Sequence, residues 1–418
     1  MENRIFAFAI LVTIFLSTIT FFSHPFEAYF HYIIFLILLP IFIVKYGFPV
    51  TPFQILALPL LFGIIQIYIG NNTVELFAKI FLGVFLSTSF YYYVFVAYEF
   101  DVEKLFALYL KGAYFVTVIG FVQWISYNLH FEPGYNYKWL FNKWGIVDDK
   151  YGGIRLNSIY SEASQFAIMI SPAAFIAINN LILRKKVFYK THQSILIIFI
   201  TILTTSSLGL IGFGISIALL TVNYGKFINF MVTILALLIV VFVCYQYLPQ
   251  FRDRYDSAYG LWIENKFTID NVNSSSFILY NHLHVAVENF KQNILFGTGL
   301  GSHQIAFDKY SLTLLKEIID VNFNKADANS MFLRLLSETG LMGVTFMLYI
   351  IFKFFVRRDY KNPDYNYWVM SNSVLVLIIL YLLRQGNYFI NGFPFFMWMY
   401  YYTGKSNMEK KSNLNLGG

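Results

Sequence analysis

The sequence contains a single cysteine, Cys244, among 418 residues. This excludes an intrachain disulfide framework and any multi-cysteine metal site. Cys244 lies inside an apolar run and reads as inert packing. Charge is scarce as well: 13% of residues are Asp, Glu, Lys or Arg, where soluble domains carry about 25%. The hydrophobic share is 58%, above the roughly 45–50% of soluble domains. So little polar surface cannot cover a water-soluble globule, and the lipid bilayer is the natural solvent. Tryptophan is sparse at 6, whereas there are 47 Phe and 32 Tyr, and tyrosine suits membrane–water interfaces. The formal net charge is +7, but the basic residues are spread between hydrophobic runs. They form no single stripe, which argues against nucleic acid as a partner.

A bilayer core needs about 20 consecutive apolar residues per helix. On that rule spans fall near 5–22, 28–45, 50–69, 75–97, 105–128, 162–182, 194–206, 208–222, 227–247, 331–355, 367–383 and 387–402. The break at 204–207 is weak, so the pair around it reads either as two short spans or as one re-entrant feature. The first run follows Arg4 without a small-residue cleavage site, which predicts a retained helix rather than a cleaved signal. The expected fold is therefore an all-α integral membrane protein: a bundle of about 12 transmembrane helices with a large, mostly helical extracytoplasmic loop.

Lys and Arg set the expected orientation. Arg184, Lys185, Lys186 and Lys190 cluster in one connection, Lys353, Arg357, Arg358 and Lys361 in another, and Lys405, Lys410 and Lys411 follow the last span. Twelve spans from a cytoplasmic start put all three clusters, and both termini, in the cytoplasm. The short connections at 23–26, 70–73 and 204–207 then lie outside, and they carry no Lys or Arg. The acidic stretch at 99–103 is a mild exception.

The expected organisation is spans one to nine over 1–247, with an outer loop near 130–160. A large extracytoplasmic loop domain follows over 248–330, then spans ten to twelve over 331–404 and a polar, flexible tail over 405–418. Loops longer than about 12–15 residues are usually functional or disordered. The large one is patterned: Leu283, Val287, Phe290 and Ile294 share one helical face, and a second such pattern runs over 310–319. It holds 7 basic and 9 acidic residues, so any anion binding there needs particular arginines rather than a diffuse field.

Three outer segments carry candidate chemistry. Arg155-Leu-Asn-Ser-Ile-Tyr-Ser-Glu162-Ala-Ser-Gln-Phe runs directly into a span. An arginine above a helix start is a good anion site, and Glu162 in the first turn suits the helix dipole; an interfacial arginine with a capping acid fits equally well. Gly297-Thr-Gly-Leu-Gly301-Ser-His303 permits tight turning and close backbone approach. It is neither a P-loop nor a dinucleotide fingerprint, and alone it reads as a turn. Asp327-Ala-Asn329-Ser330 leads into Phe-Leu-Arg334-Leu-Leu-Ser-Glu338-Thr-Gly340-Leu-Met-Gly343. Arg334 and Glu338, four apart, are expected to pair on one helix face. Arg384, between the last two spans, breaks the charge bias and reads as a snorkelling or an anion-facing arginine. Arg252 and Arg254 flank Asp253 just outside the ninth span. His282, His284 and His303 could in principle bind metal, but the i, i+2 spacing of the first pair does not put both on one helical face, so no metal is expected.

Taken together, the order of features over roughly 150–345 resembles the O-antigen polymerase and ligase family of bacterial membrane glycosyltransferases. The resemblance rests on the Arg…Ser-Glu-Ala-Ser-Gln segment, the Phe-Gly-Thr-Gly-Leu-Gly run and the Asn-Ser-Met-Phe-Leu-Arg-Leu-Leu-Ser-Glu-Thr-Gly-Leu-Met-Gly motif. In the ligase branch this last motif opens with a histidine; Asn329 stands there, which favours a polymerase. That branch also tends to carry an arginine upstream of the glycine run, where Leu279 and Tyr280 stand here.

The resemblance implies a substrate, undecaprenyl-diphosphate-linked oligosaccharide, used at the outer face of the cytoplasmic (inner) membrane. It also makes a polysaccharide chain-length regulator a plausible partner. The donor is already activated, so no cofactor is expected. Arg155 carries over as a diphosphate ligand, with Arg252, Arg254 and Arg384 competing for the second position. Glu162, Asp327, His303 and Asn329 are the candidates to orient or deprotonate the acceptor. A transporter is the main rival, but it predicts related halves and midplane polar residues. This chain concentrates its polar residues in one outer loop.

Overall fold

The computed structural model describes residues 2–22, 27–146, 153–184, 186–224, 249–264, 274–312, 324–359 and 366–416, with scattered positions between 231 and 247. Only the backbone is described at 2–3, 249–251, 254, 274 and 411–416. Cys244, most of the expected span at 227–247, the connection at 23–26, Lys185, Lys361, the far half of the pattern at 310–319 and the Arg254 side chain lie outside the described residues.

The described residues form an all-α membrane protein. Its helices are α1 (Glu2–Phe15), α2 (Phe30–Tyr46), α3 (Val50–Ile69), α4 (Val74–Ala97), α5 (Val102–Asn128), the single turn α6 (Glu132–Tyr135), α7 (Ala163–Leu183), α8 (Thr191–Leu203) and α9 (Ser207–Tyr224). Then come α10 (Pro249–Trp262), α11 (Ser274–Gln292), α12 (His303–Tyr310), α13 (Met331–Lys353), α14 (Tyr367–Arg384) and α15 (Phe393–Leu416). Seven of them, α3, α4, α5, α7, α9, α13 and α14, are long and apolar enough to cross a membrane, and three shorter apolar helices lie at Arg4–Phe15, Phe30–Tyr46 and Thr191–Leu203. The break at 204–207 thus separates two helices, α8 and α9.

Two expected boundaries move. The first helix ends at Phe15, and the chain then runs extended into a bridge between Thr20 and Tyr29. The last helix begins at Phe393, after a tight 3-10 turn at Ile390–Gly392, and its backbone stays helical through the polar tail to Leu416.

Helices α7 and α14 form the centre. Nearly every residue of α7 from Phe166 to Asn180 is buried, as is α14 from Tyr367 to Ile378. A helix apolar on every side belongs in such a surrounded position. Around it, α2 and α3 expose Leu36, Ile37, Ile41, Leu58, Leu61 and Ile64, apolar surface that is at ease only against lipid. Pro172 removes one N–H from the middle of α7. The Ser171 hydroxyl donates to the freed Ile168 carbonyl at 2.7 Å, and the Tyr109 hydroxyl donates to the Met169 carbonyl at 2.6 Å. Both of these backbone carbonyls beside the proline are therefore paired.

The loop helices α11 and α12 pack on α13, and α10 packs on α11. They gather at the end where α7 and α13 begin and α14 finishes. The basic clusters lie at the opposite ends of the same helices: Arg184 caps α7, Lys353 ends α13, and the Arg358 guanidinium lies 3.9 Å from the Tyr224 ring centroid at the foot of α9.

Candidate active site at the loop-bearing end

The site is built on a break in α13. Gly340 sits at φ 61°, ψ −155°, interrupting the helix nearly two turns below Arg334. Two helical hydrogen bonds are lost there, and the glycine loop replaces each half of both. Thr298 and Gly299 donate their N–H groups to the Ser337 and Glu338 carbonyls at 3.3 and 2.8 Å. In return the Leu341 and Met342 N–H groups donate to the Ile294 and Leu295 carbonyls at 2.8 and 3.0 Å. This reciprocal exchange pairs the Ser337 and Glu338 carbonyls and the Leu341 and Met342 N–H groups that the break frees. It needs glycine on both sides: a Cβ on Gly297 would lie 2.4 Å from the Glu338 carbonyl carbon, and one on Gly340 would lie 2.6 Å from the Gly297 nitrogen. The loop is held from the other side by the turn between α3 and α4, where the Asn72 amide donates to the Leu300 carbonyl at 2.9 Å.

Beneath the loop runs a buried polar network. His282 Nδ1 and His303 Nε2 are 3.0 Å apart, and His303 Nδ1 lies 3.2 Å from the Ser337 hydroxyl. The Asn289 amide donates to Ser337 Oγ and to Thr298 Oγ1, both at 2.8 Å. Burial first, then His282 and Arg334, hold His303 well below the ordinary histidine value, so it is neutral. His303 is thus sealed inside the fold, where it ties α12 to α13.

Next to this network Arg334 and Glu338 are buried completely, at 1% and 0% exposure. Arg334 Nε donates to Glu338 Oε1 at 3.0 Å, and its Nη1 donates to the Gly386 carbonyl at 2.9 Å. Its guanidinium stacks 4.4 Å from the Tyr388 ring centroid, and the Tyr388 hydroxyl donates to Glu338 Oε2 at 2.9 Å. The expected helix-face pair is therefore present, but as a sealed triad. Only burial by the 386–388 segment explains that, and helical spacing gives no signal for Tyr388.

Arg334 also acts electrostatically on Asp327, which opens the mouth of the site. Asp327 and Asn329 lie on a turn with left-handed backbone at Ala328 and Asn329, and the Asp327 carboxylate accepts the Asn329 N–H at 2.9 Å. Burial lifts the Asp327 carboxyl above its ordinary value, the Asn329 N–H and Arg334 pull it down, and Glu162 and Glu27 lift it again. Ser330 then caps α13, accepting the Leu333 N–H, and donates to the Leu382 carbonyl at 2.7 Å.

Arg384 stands at the end of α14, half-buried, within electrostatic range of Glu162 and Asp327. Its Nη1 donates to the Ser275 carbonyl at 3.0 Å, which ties it to the start of α11. Among the described residues no carboxylate closes an ion pair on it. Glu162 is the N-cap of α7, exposed, and accepts the Ser164 hydroxyl at 2.7 Å rather than capping the helix. Glu27 completes the rim through its ion pair with Lys143 and a hydrogen bond from Tyr29. Burial pushes the Glu27 carboxyl up, but those two partners bring it below its ordinary value.

The structure thus brings Asp327 and Asn329 beside the segment that follows Arg384, with Glu162 within electrostatic range. Arg155 is half-buried at the start of the turn leading into α7, which is pinned by Gln123 to Asn157 at 2.9 Å and by Trp144 to the Ser158 carbonyl at 2.8 Å. Arg252 lies on α10 and donates to the Gln246 carbonyl at 3.3 Å. Sequence reasoning missed Tyr388, Glu27, Lys143 and the pairing of the glycine run with Gly340. The last left a trace, because both segments carry spaced glycines beside polar residues. Among the described residues no group of His, Cys, Asp and Glu could hold a metal ion.

The fold defines a class: polytopic helical membrane proteins, here with carboxylates and an arginine at the loop-bearing end of the bundle. Residues 193–348 match the family model described as O-antigen ligase. This match supports membership of the O-antigen ligase and polymerase family, and it does not separate the polymerase branch from the ligase. It spans α8 to the kinked half of α13, including the glycine loop, Asp327, Arg334 and Glu338; Glu162 and Arg384 lie outside it. No curated protein matches the chain.

Proposed function

We propose that this protein is a polymerase of O-antigen or a related capsular or exopolysaccharide. It joins undecaprenyl-diphosphate-linked repeat units at the outer face of the cytoplasmic membrane. The observation that carries the reading is the convergence of Arg384 with Asp327 and Glu162 at the end of the bundle that bears the loop. In the transfer, the bond between the anomeric carbon of the growing glycan and its diphosphate oxygen breaks. The acceptor hydroxyl oxygen of the next lipid-linked unit forms the new bond to that carbon. Its proton passes to a carboxylate, and the lipid diphosphate leaves with the electron pair.

Arg384 is the cation for the departing diphosphate, where planar, paired donors fit two phosphate oxygens. Arg155, beside the start of α7, is the second. Asp327, with its raised value, is suited to take up the acceptor proton, since a base works best when its pKa approaches the working pH. Glu162, exposed at the rim, orients the acceptor, and Asn329 holds the Asp327 carboxylate through its N–H. His303, sealed and neutral, positions the glycine loop instead.

Asn329 stands where the ligase-type motif opens with histidine, which favours polymerisation over transfer to a final acceptor. The basic ends opposite the site favour the cytoplasm for that face and for both termini. A chain-length regulator would meet the loop-bearing end.

Deletion of the gene, with surface glycans separated by size, tests the reading. Loss of the long ladder with a single repeat unit still transferred is the expected outcome. Loss of all transferred units with lipid-linked polymer accumulating would identify a ligase, and an unchanged ladder would remove both.

A further inference from the structure

A polar cavity of about 480 Å³ opens between the turn joining α3 to α4, the end of α11, the glycine loop and α12. Its size falls within the roughly 300–1,000 Å³ of small-ligand sites. Asn71, Gln292, Asn293, Thr298, Lys309 and Tyr310 line it. The lining is dominated by amides and hydroxyls, groups that donate and accept in equal measure. Sugar hydroxyls need that balance. A phosphate needs converging cations, and the one charged side chain among the described lining residues, Lys309, is exposed and lies 4.8 Å from the Tyr310 ring centroid.

One wall is rigid before any ligand arrives. Thr298 belongs to the backbone exchange with α13, and its hydroxyl is 2.6 Å from that of Ser302. The cavity is also distinct from the charged mouth. Gln292 and Ser275, whose carbonyl holds Arg384, stand at opposite ends of α11, about 25 Å apart at 1.5 Å per residue. One sugar cannot span that distance, but an extended oligosaccharide can.

We propose that this cavity is a saccharide-binding subsite, which holds sugars of the glycan remote from the diphosphate. It engages them through hydrogen bonds from Asn71, Gln292 and Asn293 and through contact with the Tyr310 ring. The assignment of its occupant to the glycan being extended rests on the polymerase reading. The recognition of saccharide does not.

The test uses the full chain in detergent micelles and, as probe, short oligosaccharides cut from the host's own surface glycan and freed of lipid and phosphate. Saturation-transfer NMR on the unmodified protein is expected to show transfer to sugar protons. The double variant Gln292→Ala/Asn293→Ala is expected to bind about tenfold more weakly, the effect of losing two hydrogen bonds. Asn293→Trp, which fills the cavity, is expected to abolish transfer, while Arg384→Ala retains it. Absence of transfer to the unmodified protein, or transfer unchanged by Asn293→Trp in a folded variant, overturns the subsite.

The two readings fail separately. Transfer lost in Asn293→Trp alongside an unchanged ladder in the deletion strain upholds the subsite and removes the polymerase. A ladder lost on deletion with transfer unchanged in Asn293→Trp does the reverse.

Discussion

Arg334 and Arg384 are both arginines at the loop-bearing ends of apolar helices, and their surroundings give them opposite uses. Arg334 is sealed: its partners are a carboxylate, a carbonyl and a ring, all from the protein. Arg384 is half-buried, anchored by one carbonyl and within electrostatic range of two carboxylates without an ion pair to either. The buried Arg334–Glu338–Tyr388 network fixes geometry, because its hydrogen bonds are made within the protein and only Arg334 Nη2 lacks one. A part-solvated network is available to a ligand, because its charges are held in place without being consumed. The same division separates neutral, buried His303 from Asp327 at the rim. On the proposed reading the chemistry belongs to the mouth, and the buried layer beneath it supplies the positioning.

The largest expected effect tests whether the sealed layer is structural. Arg334→Ala leaves Glu338 buried without its cation, at a cost of about 3–5 kcal/mol, read as a drop in thermal unfolding temperature in detergent. Replacing both partners by apolar residues should recover much of the loss. A single variant as stable as the parent would break the contrast.

Next comes Arg384→Ala. Its glycan-transfer rate is expected to fall by about 10²–10³, as when one donor to a developing charge is removed, with little change in unfolding temperature. Equal losses of stability and activity would make Arg384 another structural arginine. Gly340→Ala should then cost about 1–3 kcal/mol from the left-handed backbone alone, more once the Cβ meets Gly297. Faster hydrogen exchange in the glycine loop and at Leu341 and Met342 would report it.

The two regions should also respond to pH with opposite sign. His303 has a folded value below the ordinary 6.5, so its contribution to stability is present above 6.5 and lost as the pH falls through the lowered value. Asp327 has a folded value above the ordinary 3.8. Its contribution is present below 3.8 and lost as the pH rises through the raised value. Asp327→Asn should accordingly melt higher than the parent at neutral pH, with the gain vanishing toward pH 3.8. A gain that grew on acidification would contradict this ordering. The smallest effect belongs to the exposed rim pair: Lys143→Ala should change stability by about 0.2–1 kcal/mol.

Much of the architecture was legible as hydropathy. Val50–Ile69, Val74–Ala97 and Ala163–Leu183 fall within a residue or two of the runs that announce them. The boundaries that moved are where hydropathy and conformation part company. The apolar run past Phe15 turns extended because it pairs with Tyr29, and α15 stays helical past its apolar part. At the site, Glu162, Asp327, Asn329 and Arg384 were legible as polar residues beside spans. Their convergence was not, since they come from the starts of α7 and α13 and the end of α14.

What the sequence determined by itself is the solvent and the element type. Scarce charge and long apolar runs require a bilayer, and a bilayer requires helices that satisfy their own backbone. What only the tertiary structure decided is which polar residues are sealed and which are open. Arg334 with Glu338 and Arg384 with Asp327 are chemically alike in the sequence. The 386–388 segment closes over the first pair and Gly386 packs against the Asp327 backbone. Burial arises from contacts between segments far apart in the chain, and no local pattern encodes it.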